Sequence, residues 1–507
     1  MRPLTNPAVA LCFAGLTASL ASAQAAFTDE AVARGLNFVT EGNYPAAGAG
    51  AGMAFADLDL DGDPDLVLMA RLNGIMGVFE NDGTGNFTER AGTGIGFLAP
   101  TSGVIAFDYD ADRDLDLYVT IEDDANVMLR NEGNFTFTDV TALCGVGDTG
   151  PSTGPCAGDL NGDGWLDLSS PNYDTPNVLY INQGDGGFVD QAIALGLDDP
   201  WRTFQTVMFD MDWDGDLDFY ISNDKKAALE TVQKNRLFEN LGGGNMLDVS
   251  TGSGANVNIY SMGVAVGDFD GNGFPDLYPT NVGLEPNPLL MNQGDGTFID
   301  EEPIAGVGSL RTGWGTAFFD YDNDSFMDLY VCNVQTHSFS PQNRLYEYNG
   351  SYPVTDVAPA LGVDDFFQSY CIALADVDAD GDLDLLTQNF DTNVRLFINN
   401  EGHTRNWVQF KIQGDYPNWH AIGANVRVRT GSKWQRQELM CGGNGYKGQN
   451  ELILQFGLDN ASVVDEVLVS WPDGRTRRLR DLPINQRYEI SPAKRIRRPR
   501  PEGAPGF

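Results

Sequence analysis

Short apolar runs alternate with acidic turns through most of the chain. A run such as Val104-Ile105-Ala106-Phe107 or Thr316-Ala317-Phe318-Phe319 leads into an aspartate-rich nonapeptide, and another, such as Leu115-Asp116-Leu117-Tyr118-Val119, leaves it. A third run follows, as in Asn177-Val178-Leu179-Tyr180-Ile181-Asn182. Then comes a glycine turn, Gly184-Asp185-Gly186-Gly187 or Gly294-Asp295-Gly296, and a fourth run starting at Phe188 or Phe298. Runs this short between turn residues predict strands. The nonapeptide begins at Asp57, Asp108, Asp159, Asp210, Asp268, Asp320 and Asp376, with starts 51, 51, 51, 58, 52 and 56 residues apart. That is close to the period of propeller blades. A lone four-stranded sheet buries little, whereas radial packing buries both faces and leaves only short edges. The pattern therefore predicts an all-β chain with a seven-bladed β-propeller over residues 24–402. Phe27-Thr28-Asp29 matches the fourth-strand pattern Phe87-Thr88-Glu89 but has no three strands before it. The last repeat ends at Leu396-Phe397-Ile398-Asn399 without a clear fourth strand. Residues near 27 are thus expected to complete the last blade.

The nonapeptide carries the candidate chemistry. Its first, third, fifth and ninth side chains can converge on one ion if the chain turns sharply at the sixth, where glycine adopts a positive φ without strain. Ca²⁺ takes six to eight oxygen ligands at flexible geometry, and Mg²⁺ suits the loop less because it demands a strict octahedron. The candidate ligands are Asp57, Asp59, Asp61 and Asp65; Asp108, Asp110, Asp112 and Asp116; Asp159, Asn161, Asp163 and Asp167; Asp210, Asp212, Asp214 and Asp218; Asp268, Asp270, Asn272 and Asp276; Asp320, Asp322, Asp324 and Asp328; and Asp376, Asp378, Asp380 and Asp384. Up to seven Ca²⁺ ions are expected. Arg113 and Ser325 replace the sixth-position glycine, so loops two and six are expected to bind more weakly. An EF-hand is excluded because its loop needs a glutamate at the twelfth position, where Leu68, Val119, Ser170, Ile221, Pro279, Val331 and Thr387 stand.

Charge changes the picture after residue 403. Residues 403–507 hold 17 Lys+Arg and 10 Asp+Glu, while residues 24–402 hold 13 and 62, within a total net charge of −41. Such acidity excludes generic nucleic-acid binding, and the abundant aromatic residues argue against disorder. Alternating runs at Val408–Ile412, Asn425–Arg429, Glu451–Leu454 and Glu466–Val469 predict a small C-terminal β-domain over 403–492, followed by a basic tail, 493–507, expected to be disordered. Opposite charge favours docking of that domain on the propeller.

At the other end, Arg2, the apolar stretch Ala8–Leu20 and Ala21-Ser22-Ala23 read as a signal peptide cleaved near Ala23, so a secreted or periplasmic protein is expected. No later run is long and apolar enough to span a bilayer. Beyond Cys12 there are Cys144, Cys156, Cys332, Cys371 and Cys441. Cys144 and Cys156 are the best disulfide candidates, Cys332 and Cys371 weaker ones, with buried free thiols as the alternative. No triad, zinc motif or G-x-S-x-G occurs. Trp201, Arg202, Tyr260, Arg311, Trp314 and His337 are expected on the face opposite the loops, where aromatic and cationic groups around a channel can hold an anionic or sugar ligand.

The repeats resemble the FG-GAP/VCBS family. Ala421-Ile422-Gly423-Ala424-Asn425-Val426, Gly443-Asn444-Gly445-Tyr446, Phe456-Gly457-Leu458 and Trp471-Pro472-Asp473-Gly474 resemble the ASPIC/UnbV domain. The combination resembles the cartilage acidic protein family and its bacterial relatives. The resemblance implies a secreted Ca²⁺-binding propeller with matrix or adhesion roles in animals, some bacterial relatives lying beside natural-product biosynthesis, and no agreed catalytic residues. The expected function is a binding or adhesion module for an extracellular protein or glycan. The alternative is an enzyme or accessory protein using the channel face on a polysaccharide or natural-product substrate.

Overall fold

A computed structural model describes residues 25–40, 51–69, 76–96, 101–122, 124–225, 233–283, 285–335, 340–492 and 496–497. The signal-peptide stretch and Cys12 lie outside the described residues. Before residue 400 the chain forms seven antiparallel sheets, numbered here by their acidic loops. Sheet one is Met53–Ala56, Asp65–Leu68, Gly77–Asn81 and Phe87–Glu89. Sheet two begins with Thr101–Phe107, sheet three with Cys156–Gly158, sheet four with Arg202–Phe209, sheet five with Val264–Gly267, sheet six with Thr312–Phe319 and sheet seven with Ser369–Ala375.

The first two strands of sheet two, Thr101–Phe107 and Asp116–Ile121, are buried at every position. Both faces pack against neighbouring sheets, so their central residues, Val104-Ile105-Ala106-Phe107 and Leu117-Tyr118-Val119, are continuously apolar rather than alternating. The outer strands bury one anchor, as at Phe87, Phe137, Phe188 and Phe298, and expose the next two residues. First strands are innermost. Met53–Ala56 lies against both Thr101–Phe107 and Ser369–Ala375, and Thr312–Phe319 lies against both Val264–Gly267 and Ser369–Ala375. Sheet one therefore abuts sheet seven. Sheet seven takes its outer strand from the other end of the chain: Phe27–Asp29 pairs antiparallel with Arg395–Asn399, Phe27 opposite Asn399.

Four-residue helical turns follow the outer strands of sheets two to six, for example Thr141–Cys144 and Ala192–Leu195. The strand pattern did not anticipate them. They hold too few residues to show a helical period, and a left-handed glycine such as Gly145 or Gly196 ends each of these two.

The C-terminal region holds two further sheets. In one, Asn406–Ile412 runs between Leu454–Asp459 and a parallel partner, Gln486–Ile490; in the other, Asn425–Thr430 runs between Lys433–Glu438 and Val464–Ser470. Strand Leu454–Asp459 starts later than the expected Glu451–Leu454, because Glu451 is tied by its N–H to Leu374 O (3.0 Å). Of the basic tail, Ile496–Arg497 pairs with Glu489–Ile490, and the rest lies outside the described residues. The expected disulfides are absent: all five described cysteines are buried free thiols. Cys144 packs with Tyr109 and Phe188, whereas Cys156 packs in a separate cluster with Leu160 and Met208.

Deleting residues 25–30 is expected to lower the melting temperature of the whole domain. Phe27→Ala alone, at a site 3% exposed, should cost about 3 kcal/mol in chemical denaturation. An unchanged melting temperature in both variants would contradict closure through this strand.

Candidate metal centre

The seven loops share one backbone path. The first aspartate receives the sixth residue's N–H: Gly62 to Asp57 (3.2 Å), Arg113 to Asp108 (3.0 Å), Gly164 to Asp159 (2.8 Å), Gly215 to Asp210 (3.0 Å), Gly273 to Asp268 (3.0 Å), Ser325 to Asp320 (2.7 Å) and Gly381 to Asp376 (3.1 Å). The sixth residue has a positive φ in every loop, including Arg113 (89°) and Ser325 (76°). So does the fourth, occupied by Leu60, Ala111, Gly162, Trp213, Gly271, Asn323 and Ala379. The second requirement was not legible, because most of those residues are not glycine. Their left-handed strain is sustained by the bonds around them.

The ninth aspartate does two jobs. In loop four, Asp218 Oδ2 accepts from Met211 N (2.8 Å) and Oδ1 from Asn240 N (2.8 Å), on the third strand. The same pair of bonds recurs at Asp65, Asp116, Asp167, Asp276, Asp328 and Asp384. Each oxygen keeps a second lone pair. The geometry brings Asp57, Asp59 and Asp61 together in loop one. In loops two, four and five it brings together the first, third and ninth positions: Asp108, Asp110 and Asp116; Asp210, Asp212 and Asp218; Asp268, Asp270 and Asp276. Asp110 Oδ1 and Asp378 Oδ1 are buried acceptors without a hydrogen-bond partner among the described residues. Hard all-oxygen sets with orphaned carboxylate oxygens fit a cation such as Ca²⁺.

Six asparagines complete the site, and sequence reasoning gave them no role. Asn240 Nδ2 donates to Leu217 O of its own loop (3.0 Å) and to Leu160 O of the preceding loop (2.8 Å). Asn131, Asn182 and Asn292 repeat this, while Asn81 reaches Val377 O (2.9 Å) and Asn399 reaches Tyr321 O (2.7 Å). The signal was a recurring Asn-x-Gly after the third strand, as in Asn182-Gln183-Gly184. In sheet six Tyr348 takes that place and stacks on Phe269, 4.8 Å between ring centres.

The C-terminal region covers the loop face. Lys411 Nζ lies 2.9 Å from Asp57 Oδ2, Trp419 Nε1 donates to Ala111 O (2.9 Å), and Arg113 stacks over Trp419. Glu438 Oε2 accepts from Asp210 N (3.1 Å), Lys433 Nζ donates to Ser325 Oγ (2.8 Å), Arg405 pairs with Asp322, and Gln409 Nε2 donates to Asp376 Oδ2 (2.7 Å). From this domain the segment Cys441–Glu451 enters the space among the first strands. Cys441–Gly442 adds a fifth strand to sheet three. Lys447 O accepts from Val104 N (3.1 Å), Gly445 O from Ile372 N (3.2 Å) and Gln449 O from Phe55 N (3.1 Å). Tyr446 is fully buried against Phe204 and Trp314. A Cβ at Gly448 would stand 2.3 Å from Met53 O, so only glycine passes there.

The structure gives most of the candidate ligand-face residues partners within the chain itself. Trp314 lies in the core with Phe204, Met262, Val334 and Tyr446. Arg202 pairs with Asp174 (3.1 Å) and stacks over Tyr173, while Lys225 lies over Tyr260. Arg311 donates to Ser340 O (2.5 Å) and Gln342 Oε1 (3.1 Å). Trp201 is half-buried beside Arg202, and His337 lies outside the described residues.

The FG-GAP-like repeat model matches residues 57–119, 108–170, 159–221 and 226–278, and the ASPIC and UnbV model matches residues 414–497. The class is thus a chain of FG-GAP-like repeats joined to an ASPIC and UnbV domain. The chain is homologous to cartilage acidic protein 1: it is 24% identical to the Mus musculus protein over 368 residues, covering 70% of this chain and 47% of that protein. With the Homo sapiens protein the identity is 24% over 365 residues, covering 70% and 46%. The chain spans about half the length of these relatives. Among solved structures, the WD40 β-propeller domain of Doa1 has a TM-score of 0.41 at 11% identity, covering 73% of this chain and 99% of that one.

Asn240→Ala is expected to orphan two buried carbonyls, at about 1–3 kcal/mol each, measured by chemical denaturation; a loss within error would remove its role as a staple. Without an ion, burial raises the loop carboxyls: Asp159 to about 6, Asp108, Asp210, Asp268 and Asp376 to about 7, and Asp65 and Asp218 to about 8. The folded chain then binds more protons than the unfolded one, whose aspartates titrate near pH ~3.9. This contribution to metal-free stability is present below about pH 4 and is lost as pH rises through the raised values, about 6 to 8. Thermal melts of chelator-treated protein should show the midpoint falling across that window, and a rising midpoint would contradict the assignment.

Proposed function

We propose that the seven sheets are blades of one closed ring, that the seven loops bind Ca²⁺, and that the protein is a secreted binding module for an extracellular protein or glycan. Two contacts support closure: sheet one lies against sheet seven, and Asn81 bonds Val377 O across that boundary. The observation that carries the Ca²⁺ reading is the single loop path repeated with carboxylates at its first and ninth positions, with orphaned acidic oxygens at Asp110 and Asp378. Residues 24–402 form the propeller and residues 403–492 the domain that covers the ion face.

Asp57, Asp210 and Asp376 head the loops that have aspartate at every odd position and glycine at the sixth, and are the strongest candidates. Bound Ca²⁺ supplies the positive charge that holds each carboxylate set together, and the chain's own donors orient the carboxylates for it. Tyr446 and Lys447 fill the space where a channel substrate would sit, which supports recognition over catalysis. The face opposite the loops and the outer blade edges remain for a partner. Among the described residues no helix is long and apolar enough to cross a membrane.

Calorimetric titration of the chelator-treated chain with Ca²⁺ is expected to give three or more ions per chain. Each ion should add about 2.7 kcal/mol of stability at a hundredfold excess over its Kd. Fewer than three ions, or a melting temperature indifferent to EDTA, would overturn the reading. Binding to a panel of matrix proteins and glycans should be lost on chelation; binding equal with and without Ca²⁺ would remove the ions from recognition.

A further inference from the structure

Loop seven differs from the rest at its seventh residue. Asp63, Asp114 and Asp216 hold that place in loops one, two and four and are partly exposed, whereas Asp382 is 1% exposed. Its cover is the helical turn Gly402–Thr404. Gly402 sits so close that a Cβ there would meet Asp382 Cβ at 2.5 Å. The next residue, His403, donates its backbone N–H to Asp382 Oδ2 (2.8 Å). Its ring atom Nδ1 stands 3.0 Å from Asp382 Oδ2 and 3.3 Å from Asp380 Oδ2. Asp382 Oδ1 is buried with no hydrogen-bond partner among the described residues. One imidazole nitrogen and two carboxylate oxygens thus lie within 4.8 Å of one another.

We propose that His403, Asp382 and Asp380 form a second kind of metal site, for a borderline divalent transition ion such as Zn²⁺, beside loop seven. The donor set separates it from the seven loops: Ca²⁺ takes oxygen ligands, whereas imidazole nitrogen with carboxylate oxygen suits Zn²⁺ and its neighbours. Distances agree. Zinc–ligand bonds of about 2.0–2.2 Å set tetrahedral edges of about 3.3–3.5 Å, and the observed separations are 3.0 and 3.3 Å. Charge agrees too. Loop seven gathers Asp376, Asp378, Asp380, Asp382 and Asp384. Arg487 faces Asp376 (3.7 Å) and Arg34 faces Asp378 (3.0 Å), while the imidazole of His403 faces Asp380 and Asp382. One divalent ion in the loop leaves a surplus of negative charge there, and a second ion relieves it. His403 is half-exposed, which gives an entry path and room for water at a fourth position. Asp380 belongs to both sites, so the two ions are neighbours, but the second site does not require Ca²⁺ in the first.

The test uses the full chain without a histidine tag, saturated with Ca²⁺ and titrated with Zn²⁺ by calorimetry, with native mass spectrometry as a count. One Zn²⁺ per chain is expected, retained in excess Ca²⁺. His403→Ala and the conservative Asp382→Asn should each weaken it at least about tenfold, with cooperative unfolding and the Ca²⁺ count unchanged. His420→Ala should leave it alone. Equal Zn²⁺ affinity in wild type and His403→Ala, or Zn²⁺ displaced one-for-one by Ca²⁺, would overturn the site. Absence of Zn²⁺ binding to the Ca²⁺-loaded wild type would overturn it as well, leaving His403 as a hydrogen-bond partner only. A chain that binds Zn²⁺ as stated but no Ca²⁺ keeps this inference and loses the preceding one.

Discussion

Everything in the larger part of the molecule hangs on a buried carboxylate with two backbone partners. The ninth aspartate of each loop takes one N–H from the start of its own loop and one from the third strand. Removed from water, such a carboxylate is costly unless its oxygens are satisfied, and these two bonds satisfy one lone pair on each. They also fix loop, second strand and third strand as one unit. The following asparagine carries the connection to the preceding sheet through a carbonyl of that sheet's loop. Contact between sheets and the candidate ion site are therefore set by the same few atoms. The exception shows the rule's tolerance: in sheet six Tyr348 keeps the backbone bond to Asp328 (2.9 Å) and replaces the amide staple by ring stacking.

Much of this was legible as pattern. The spacing of the aspartates gave the repeat, the apolar runs gave the strands, and the unpaired Phe27-Thr28-Asp29 pointed to its partner near residue 399, which the pairing bears out. What the pattern hid was long-range. Fourth-position residues with positive φ carry no common side chain, so their conformation follows from the bonds around them. Cys144 and Cys156 are near in sequence, yet a sheet separates their clusters, so proximity along the chain misled. The stretch Gly443-Asn444-Gly445-Tyr446 was visible as a motif, but its role was not. Its glycines give way to the carbonyls of Thr206 and Ile372, on strands of two earlier sheets, and no local rule connects them.

The two charge regimes of the chain also find their reason. A face lined by aspartates repels itself, and the basic domain offsets that repulsion, as the proposed cations would. Lys411, Arg405, Lys433 and Arg487 arrive with the domain at the same carboxylate sets that fit ions. On the proposed reading, loop affinity for cations and domain docking are coupled quantities, each reading the charge that the other leaves.

The inserted segment has a consequence for the order in which the molecule is made. Synthesis runs from the amino end, so strand Phe27–Asp29 emerges first and waits about 370 residues for its partner at Arg395–Asn399. The inner strands are then complete, but Tyr446 and its neighbours have yet to leave the ribosome. Until they do, the centre of the nascent protein is wet and its innermost backbone groups face water. The segment 441–451 is thus the keystone, set from within after the inner strands are in place.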